Sequence, residues 1–283
     1  MQACQKTMNK SQLLLSFLLP ACSLLPIHAD DFGLWTDAGL SQNIGSTGLS
    51  ADVDLGFRMN NNWNSVDRWS AGIGLNYDLT SFLKISTGYD FLYSYQIANY
   101  EDKYSSTTWK GYNLENSYWR PKNRFHVDLK GKIDVNRFTF SLRERYQLTG
   151  YNSVWYRKDK YRYNIQQNLD GTTSYILQSG YPESEQDDKS YKTNHYLRSC
   201  IGMEYNISHC AISPYASFEL SNNLSNGFSI DKRRYSIGAD WKITKRQHLS
   251  IGYVYNDGTD DDDESDLHVI EISYNIKGLF TKK

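Results

Sequence analysis

The sequence has few features of a helical or nucleic-acid-binding protein. Beyond residue 29 it contains no long apolar run, so we expect no membrane-spanning helix there. Only 39% of the residues are hydrophobic, too few for a bundle of membrane helices, and the 5 prolines argue against Pro-rich disorder. The net charge of −1 predicts no nucleic-acid partner. The chain instead has 23 tyrosines and 7 tryptophans, a composition typical of strands joined by polar loops.

Cysteine is equally scarce. Cys4 and Cys22 fall in the N-terminal segment, and only Cys200 and Cys210 remain. An exported chain would permit a disulfide between these two. The alternation of their strands argues against it, because Cys200 falls on a polar face and Cys210 on an apolar one, whereas opposed residues of a hairpin point to one side. We therefore expect no disulfide, no metal site and no cofactor.

The N-terminal segment has the layout of a secretory signal. Two lysines precede a leucine-rich stretch over residues 11–26, and Ala29 offers a small residue at the cleavage point. We predict a signal peptide over residues 1–29. A lipoprotein signal ending at Cys22 is the alternative, which Pro20 disfavours.

The body of the chain alternates between apolar and polar residues. In the first run, apolar side chains occupy the odd positions from Leu49 to Phe57, and polar side chains or glycine occupy the even ones. The same pattern recurs over residues 69–77, 83–93, 125–133, 138–146, 197–207, 212–220, 235–243, 249–255 and 268–276. A period of two predicts strands with one apolar and one polar face.

Two architectures fit this alternation, a soluble sandwich and a membrane barrel. Sandwich strands average about 5–6 residues, whereas these runs cover about ten, the length of a tilted membrane strand. Aromatic residues such as Trp69 and Trp241 lie near the ends of apolar faces, as in interfacial girdles. Glycines on the polar face, such as Gly72 and Gly74, suit a crowded lumen. We predict that residues 30–283 form an all-β domain, a transmembrane antiparallel up-and-down β-barrel of about 10–12 strands with long extracellular loops. A soluble sandwich or lipocalin-like barrel is the alternative.

Short and long connections alternate along the chain. Short turns are predicted at residues 78–81, 134–136, 207–209 and 244–247, and long connections at residues 98–123, 150–194, 221–226 and 256–266. Outer-membrane barrels have short periplasmic turns and long outer loops, so this pattern places the C-terminus in the periplasm. The runs from Leu49 onward make about ten strands, an even number that closes a barrel. Residues 32–42 would add one more and break that parity. We expect either that they plug the lumen or that a further strand lies hidden in a long loop.

Short segments in a fixed order carry a resemblance to a known family. They are Gly33-Leu34-Trp35, Leu55-Gly56-Phe57-Arg58, Gly88-Tyr89-Asp90-Phe91, and the segments over residues 124–129, 142–146, 214–219 and 234–238. In this order they resemble a family of uncharacterised outer-membrane β-barrels of Gram-negative bacteria, classed as a domain of unknown function. The resemblance implies a barrel in the cell outer membrane. It implies no known activity and no catalytic residues.

If the apolar stripes face lipid, the polar stripes line the lumen. The charged residues expected there are Arg58, Arg68, Asp90, Asp128, Lys130, Arg143, Arg145, Arg198, Glu219, Arg234 and Asp240, together with Asp52, Asp54, Lys84, His126, Lys132, Glu204, Lys242 and Glu271. A barrel of about ten strands has an interior close to what side chains alone can fill. An unpaired charge there is costly. We therefore predict a filled lumen whose charges neutralise one another, in a protein with a structural or binding role.

Two other functions remain open. In a narrow channel, Arg143, Arg145 and Arg198 would favour small anionic solutes. An outer-membrane enzyme of the protease or lipase type would need a histidine beside acidic residues or a serine. His126 and His195 start strands below outer loops, but no motif links either to such partners, so we predict no enzyme. The partners expected are outer-membrane lipid, lipopolysaccharide and the barrel-assembly machinery, with the oligomeric state left open.

Two polar connections carry further hypotheses. The acidic run over residues 257–266 is expected to be a solvated loop rather than a Ca²⁺ site, because it lacks the spaced ligands of an EF-hand. Residues 151–163 interleave Trp155 and several tyrosines with basic residues. The three hypotheses for such a loop are that it binds phosphates, that it stacks on sugars, and that it packs on itself.

Overall fold

The computed structural model describes residues 32–258 and 267–278. All regular elements in these ranges are β-strands. None of the described residues forms a helix long and apolar enough to cross a membrane. The expected signal peptide at residues 1–29 lies outside the described residues, and so does most of the expected acidic loop.

The strands are numbered in chain order. They are β1 (Phe32–Ile44), β2 (Leu49–Asn60), β3 (Ser65–Asp78), β4 (Leu83–Gln96), β5 (Asn99–Ser105), β6 (Thr108–Glu115), β7 (Tyr118–Val135), β8 (Phe138–Tyr151), β9 (Val154–Gln167), β10 (Thr173–Leu177), β11 (Glu183–Lys189), β12 (Lys192–Tyr205), β13 (Ile212–Asn223), β14 (Ser229–Lys242), β15 (Gln247–Asp257) and β16 (Leu267–Lys277). Every alternating run of the sequence is a strand, which confirms the all-β prediction.

The chain divides into two compact units. The barrel unit contains the residues up to 92, 124–149 and from 194 onward, and the sheet unit contains residues 93–123 and 150–193. The boundary between the units falls inside β4, β7, β8 and β12.

The barrel is closed, in the order β1-β16-β15-β14-β13-β12-β8-β7-β4-β3-β2. This count of 11 strands agrees with the predicted 10–12. The segment at residues 32–42 is not a plug, because β1 is part of the wall and pairs antiparallel with β2. It pairs in parallel with β16, from Phe32 opposite His268 to Ser41 opposite Lys277. An odd number of alternating strands makes the first and last run in the same direction, so closure requires one parallel seam. The assumption that only an even number closes was wrong.

The barrel wall has its apolar side outward. On β2 and β3, Leu55 is 59% exposed and Ile73 62% exposed, whereas Arg68 is only 2% exposed. A soluble barrel would show the opposite pattern, because its apolar faces must be removed from water. Outward aliphatic stripes and inward charges are the pattern of a barrel whose surrounding solvent is lipid.

Close backbone approach explains two inward-facing glycines. Tyr215 on β13 lays its ring across Gly238 on β14 and Gly252 on β15. A Cβ at Gly238 would lie 2.5 Å from the Ile251 carbonyl oxygen and 2.7 Å from the Tyr215 ring. Tyr215 therefore fills space that any larger residue at these positions would take.

The connections follow the predicted alternation in most places. Tight turns join β3 to β4, β7 to β8 and β14 to β15, as expected. The connection predicted as long at residues 221–226 is short, because β13 runs to Asn223 and β14 begins at Ser229. Cys200 and Cys210 are not joined by a disulfide.

The sheet unit corrects the description of residues 98–123 and 150–194 as loops. These segments form a sheet in the order β10-β9-β6-β5, with β11 also paired to β9. The pairings of β9 with β6, β10 and β11 and of β5 with β6 are antiparallel. The strands were missed because many of their residues are charged or aromatic on both faces, which hides the period of two.

Candidate functional site

The inward face of the barrel carries the charged residues predicted for the lumen. The register places Arg58 opposite Arg68 and Glu219 opposite Arg234. All eleven candidates share the inward parity of their strands; they are Arg58, Arg68, Asp90, Asp128, Lys130, Arg143, Arg145, Arg198, Glu219, Arg234 and Asp240. Arg143, Arg198, Glu219 and Arg234 form a paired middle region, whereas Lys130 and Asp240 line a cavity at one end.

Glu219 on β13 is the centre of the middle region. Arg198 on β12 donates to its Oε1 from Nη2 at 2.6 Å and from Nε at 3.2 Å. Arg143 on β8 donates to its Oε2, and Arg234 Nη1 on β14 lies 3.7 Å from Oε1. Glu219 is only 6% exposed, so this carboxylate is removed from water and relies on its arginines. We call these four residues the Glu219 belt.

A second pair of charges extends the belt toward β7. Arg145 donates to both carboxylate oxygens of Asp128, at 2.6 and 2.7 Å, a bidentate geometry that fixes both side chains. Gln147 accepts a hydrogen bond of 2.9 Å from Arg198 Nη1. His126 Nδ1 lies 3.6 Å from Asp90 Oδ2. The arginines proposed for anion selection are therefore already bound to acidic side chains.

An apolar cluster also lies inside the barrel. Trp35, Val254, Leu267 and Val269 are at most 3% exposed and pack together at inward positions of β1, β15 and β16. The guanidinium carbon of Arg58 lies 3.8 Å from the centre of the Trp35 ring. That of Arg234 lies 4.8 Å away, which joins the cluster to the Glu219 belt.

Sequence reasoning missed this cluster. Trp35 was not placed because the role of β1 was undecided. A signal was present, since Val254 and Val269 are apolar residues at positions where the alternation predicts polar ones. Such breaks in an otherwise polar stripe mark places where the lumen is dry.

The barrel interior opens into a cavity at the end where tight turns join β1 to β2, β3 to β4 and β14 to β15. This turn-side cavity has a volume of about 650 Å³. Its charged lining residues are Asp52, Asp54, Lys84, Lys130, Lys132, Glu204, Asp240, Lys242 and Lys277. Two of the predicted candidates, Lys130 and Asp240, belong to this cavity and not to the belt.

The enzyme hypothesis depends on what the histidine rings contact. The rings of His195 and His268 contact tyrosines, with Tyr146 Oη 2.7 Å from His195 Nδ1 and Tyr253 bonded to His268. Among the described residues, no histidine ring is hydrogen-bonded to a serine hydroxyl, and no three His, Cys, Asp or Glu side chains are grouped to hold a metal ion.

The basic side chains of residues 151–163 are bound within the sheet unit. Lys158 donates to Asp187 at 2.8 Å, Lys160 pairs with Glu185, and Arg157 Nε lies 2.8 Å from Asp159. These hydrogen bonds favour the hypothesis that residues 151–163 pack on their own sheet.

Two pKa shifts follow from this packing. The hydrogen bond from Lys158 and one from the Asp188 amide lower the pKa of Asp187 to about 2. Tyr156 donates to Glu115 and Asp187, each at 3.1 Å. Burial, followed by these carboxylates, raises the pKa of the Tyr156 hydroxyl well above its usual value.

Comparison with known proteins gives one family match and several structural likenesses. No curated protein matches the chain at a significant level. A NanC porin is 14% identical with a TM-score of 0.40, and 86% of this chain and 95% of that one are covered. The translocator domain of the autotransporter NalP from Neisseria meningitidis is 12% identical with a TM-score of 0.41, covering 91% and 93%. The outer membrane protease OmpT from Escherichia coli is 13% identical with a TM-score of 0.37, covering 82% and 84%.

The family match covers most of the described chain. A family model described as "Protein of unknown function (DUF2490)" matches residues 32–266, from the first residue of β1 to the residue before β16. The protein therefore belongs to this family, whose fold in this chain is a closed β-barrel with a charged lumen.

Proposed function

We propose that the protein is an outer-membrane barrel whose lumen is closed across its middle, with a binding or structural role rather than that of an open channel. The observation that carries this proposal is the joining of the Glu219 belt to the apolar cluster through Trp35. Arg234 belongs to the belt and also covers the Trp35 ring. Arg234 therefore links the ion pairs of the Glu219 belt to the buried apolar cluster inside the barrel.

The energetics of the belt favour a closed lumen. An open water path along β8, β12 and β13 would need Glu219 or its arginines to move apart. Breaking a buried ion pair of this kind costs about 3–5 kcal/mol when one partner is left alone. The same hydrogen bonds argue against anion conduction, because Arg143 and Arg198 already donate to Glu219 and Arg145 to Asp128.

The outer wall supports a membrane location. Its aliphatic residues, such as Leu55 and Ile73, are more than half exposed and need an apolar surrounding. Transmembrane β-barrels of bacteria lie in the outer membrane, and the expected N-terminal signal would export the chain toward it. The proposal includes lipid and lipopolysaccharide as its surroundings, the barrel-assembly machinery as its insertion partner, and the tight turns on the periplasmic side.

The test is the conductance of the full-length protein, refolded and inserted into planar bilayers. Folding is first confirmed by heat-modifiable gel mobility. We expect a folded protein that inserts but is electrically silent, and liposomes carrying it that stay impermeable to small sugars. Steady, ion-selective current steps from the unaltered protein would overturn the closed lumen. A protein that stays soluble without detergent would overturn the membrane location.

A further inference from the structure

We propose that the turn-side cavity binds a small phosphate-type oxyanion through Lys84, Lys130 and Lys132. This inference rests on the proposed function and extends it, since it gives a binding barrel a ligand class. The reasons are the convergence of these lysines, the lack of acidic partners for two of them, and the space in front of them.

The three lysines converge because of the barrel topology. Lys130 and Lys132 are two residues apart on β7, so both side chains point into the lumen. β4 is the neighbour of β7 in the barrel, and Lys84 is the second residue of β4. The lysines line the turn-side cavity and also an adjoining cavity of about 470 Å³, to which Arg143 and Ser86 contribute.

Charge pairing distinguishes this cluster from the Glu219 belt. Asp128 is held by Arg145, and Glu219 is held by three arginines. Lys84 lies 3.2 Å from Asp78 at the β3–β4 turn, where both side chains are about half exposed. Within residues 32–258 and 267–278, the ammonium groups of Lys130 and Lys132 have no ion pair or hydrogen bond.

The arrangement suits an oxyanion. Each ammonium group offers three donors and no acceptor, so a cluster of lysines can be satisfied only by acceptors such as phosphate or carboxylate oxygens. The acceptor with the highest charge density gains most where several cations face it. Acidic residues elsewhere in the larger cavity, including Asp52, Asp54 and Asp240, repel an anion and confine it to the lysine side. The oxyanion group of the ligand must therefore be compact. The cavity beside it leaves space for a short organic group attached to that oxyanion.

The experiment measures inorganic phosphate binding by isothermal titration calorimetry. It uses the full-length protein refolded in a maltoside detergent, which has no phosphate of its own. The variant Lys130→Gln/Lys132→Gln removes the two unpaired charges, and Lys245→Gln removes one charge from a turn at the same barrel end. Heat-modifiable mobility confirms that each variant is folded.

We expect saturable phosphate binding that weakens at least tenfold in Lys130→Gln/Lys132→Gln, because that variant loses two charged donors to the anion. Binding should change less than twofold in Lys245→Gln, because Lys245 does not line the cavity. No binding to the unaltered protein, equal weakening in both variants, or complete displacement by an equal concentration of chloride would overturn the proposal. Displacement by a water-soluble short-chain phosphatidic acid would assign the site to a lipid headgroup, and its failure would assign it to a free phosphate-bearing solute. Phosphate binding by a barrel that conducts would uphold this site while removing the closed lumen. A barrel that does not conduct and does not bind phosphate would uphold the closed lumen and overturn the phosphate site.

Discussion

Glu219 in the barrel and Glu185 in the sheet unit each accept a hydrogen bond from a basic side chain of another strand. Glu219 is 6% exposed and has three arginines around it, whereas the Glu185 side chain is 41% exposed and pairs with Lys160 alone. Buried charges must be matched by partners, because their hydration has been lost, but exposed charges keep most of theirs. Ion pairs therefore stabilise the middle of the barrel strongly, whereas similar pairs contribute little to the stability of the sheet unit.

The largest effect is expected at the centre of the belt. Glu219→Gln keeps the shape of the side chain but leaves the cations of Arg143, Arg198 and Arg234 without their carboxylate. We expect a loss of about 3–5 kcal/mol in the free energy of unfolding. Urea titration followed by gel mobility measures it. Glu185→Gln is the matched control and should lose less than about 1 kcal/mol. Equal losses in the two variants would mean that burial does not separate the two regions.

The dry part of the lumen gives the next effect. Val269→Ala and Val53→Ala each remove two methyl groups, and burying each such group contributes about 0.8 kcal/mol to stability. The two sites differ in burial, because Val269 is fully buried and Val53 is 47% exposed on the outer wall. Lipid can fill the outer gap, whereas the inner one stays a cavity at about 24 cal/mol per Å³. We expect Val269→Ala to lose about 2–3 kcal/mol, about 1 kcal/mol more than its control, in the same urea titration. The reverse order would place Val269 outside the packed cluster.

Sequence alternation was enough to predict the barrel and to assign each candidate charge to one face of its strand. The predicted inward stripe contains Glu219 and all three of its arginines, because a period of two assigns each residue to a face whatever its partner. Pairings between strands that are far apart in sequence, such as Arg143 with Glu219, do not follow from that period. Trp35 was missed for the same reason, since its position depends on the parallel seam, which is a consequence of the total strand count.

A smaller effect is expected where Tyr215 crosses the glycines. A Cβ at Gly238 meets the Ile251 carbonyl oxygen and the Tyr215 ring, whereas at Gly74 its nearest neighbour lies 3.5 Å away, an ordinary contact. Overpacking costs about 1–3 kcal/mol, and replacing a strand glycine by alanine returns about 0.5–1 kcal/mol. We expect Gly238→Ala to lose about 1 kcal/mol net in urea titration, and Gly74→Ala to be neutral or slightly stabilising. Equal stability of the two variants would show that the Ile251 backbone and the Tyr215 ring both adjust at little cost.

The smallest effect concerns the exposed pairs of the sheet unit, where titration is a more sensitive probe than stability. Lys158 lowers the pKa of Asp187 from 3.8 to about 2. Because the folded pKa is the lower one, the pair contributes its stability above pH 3.8 and loses it as the pH falls through about 2. Carboxyl ¹³C shifts of the folded protein should therefore give a midpoint near 2 for Asp187. In Lys158→Gln that midpoint should rise toward 3.8, while urea titration at neutral pH should show little change. An unmoved midpoint would mean that the Asp188 amide and the Tyr156 hydroxyl hold the carboxylate without Lys158. A large loss of stability would mean that this surface pair resembles the Glu219 belt, and the contrast between buried and exposed charges would fail.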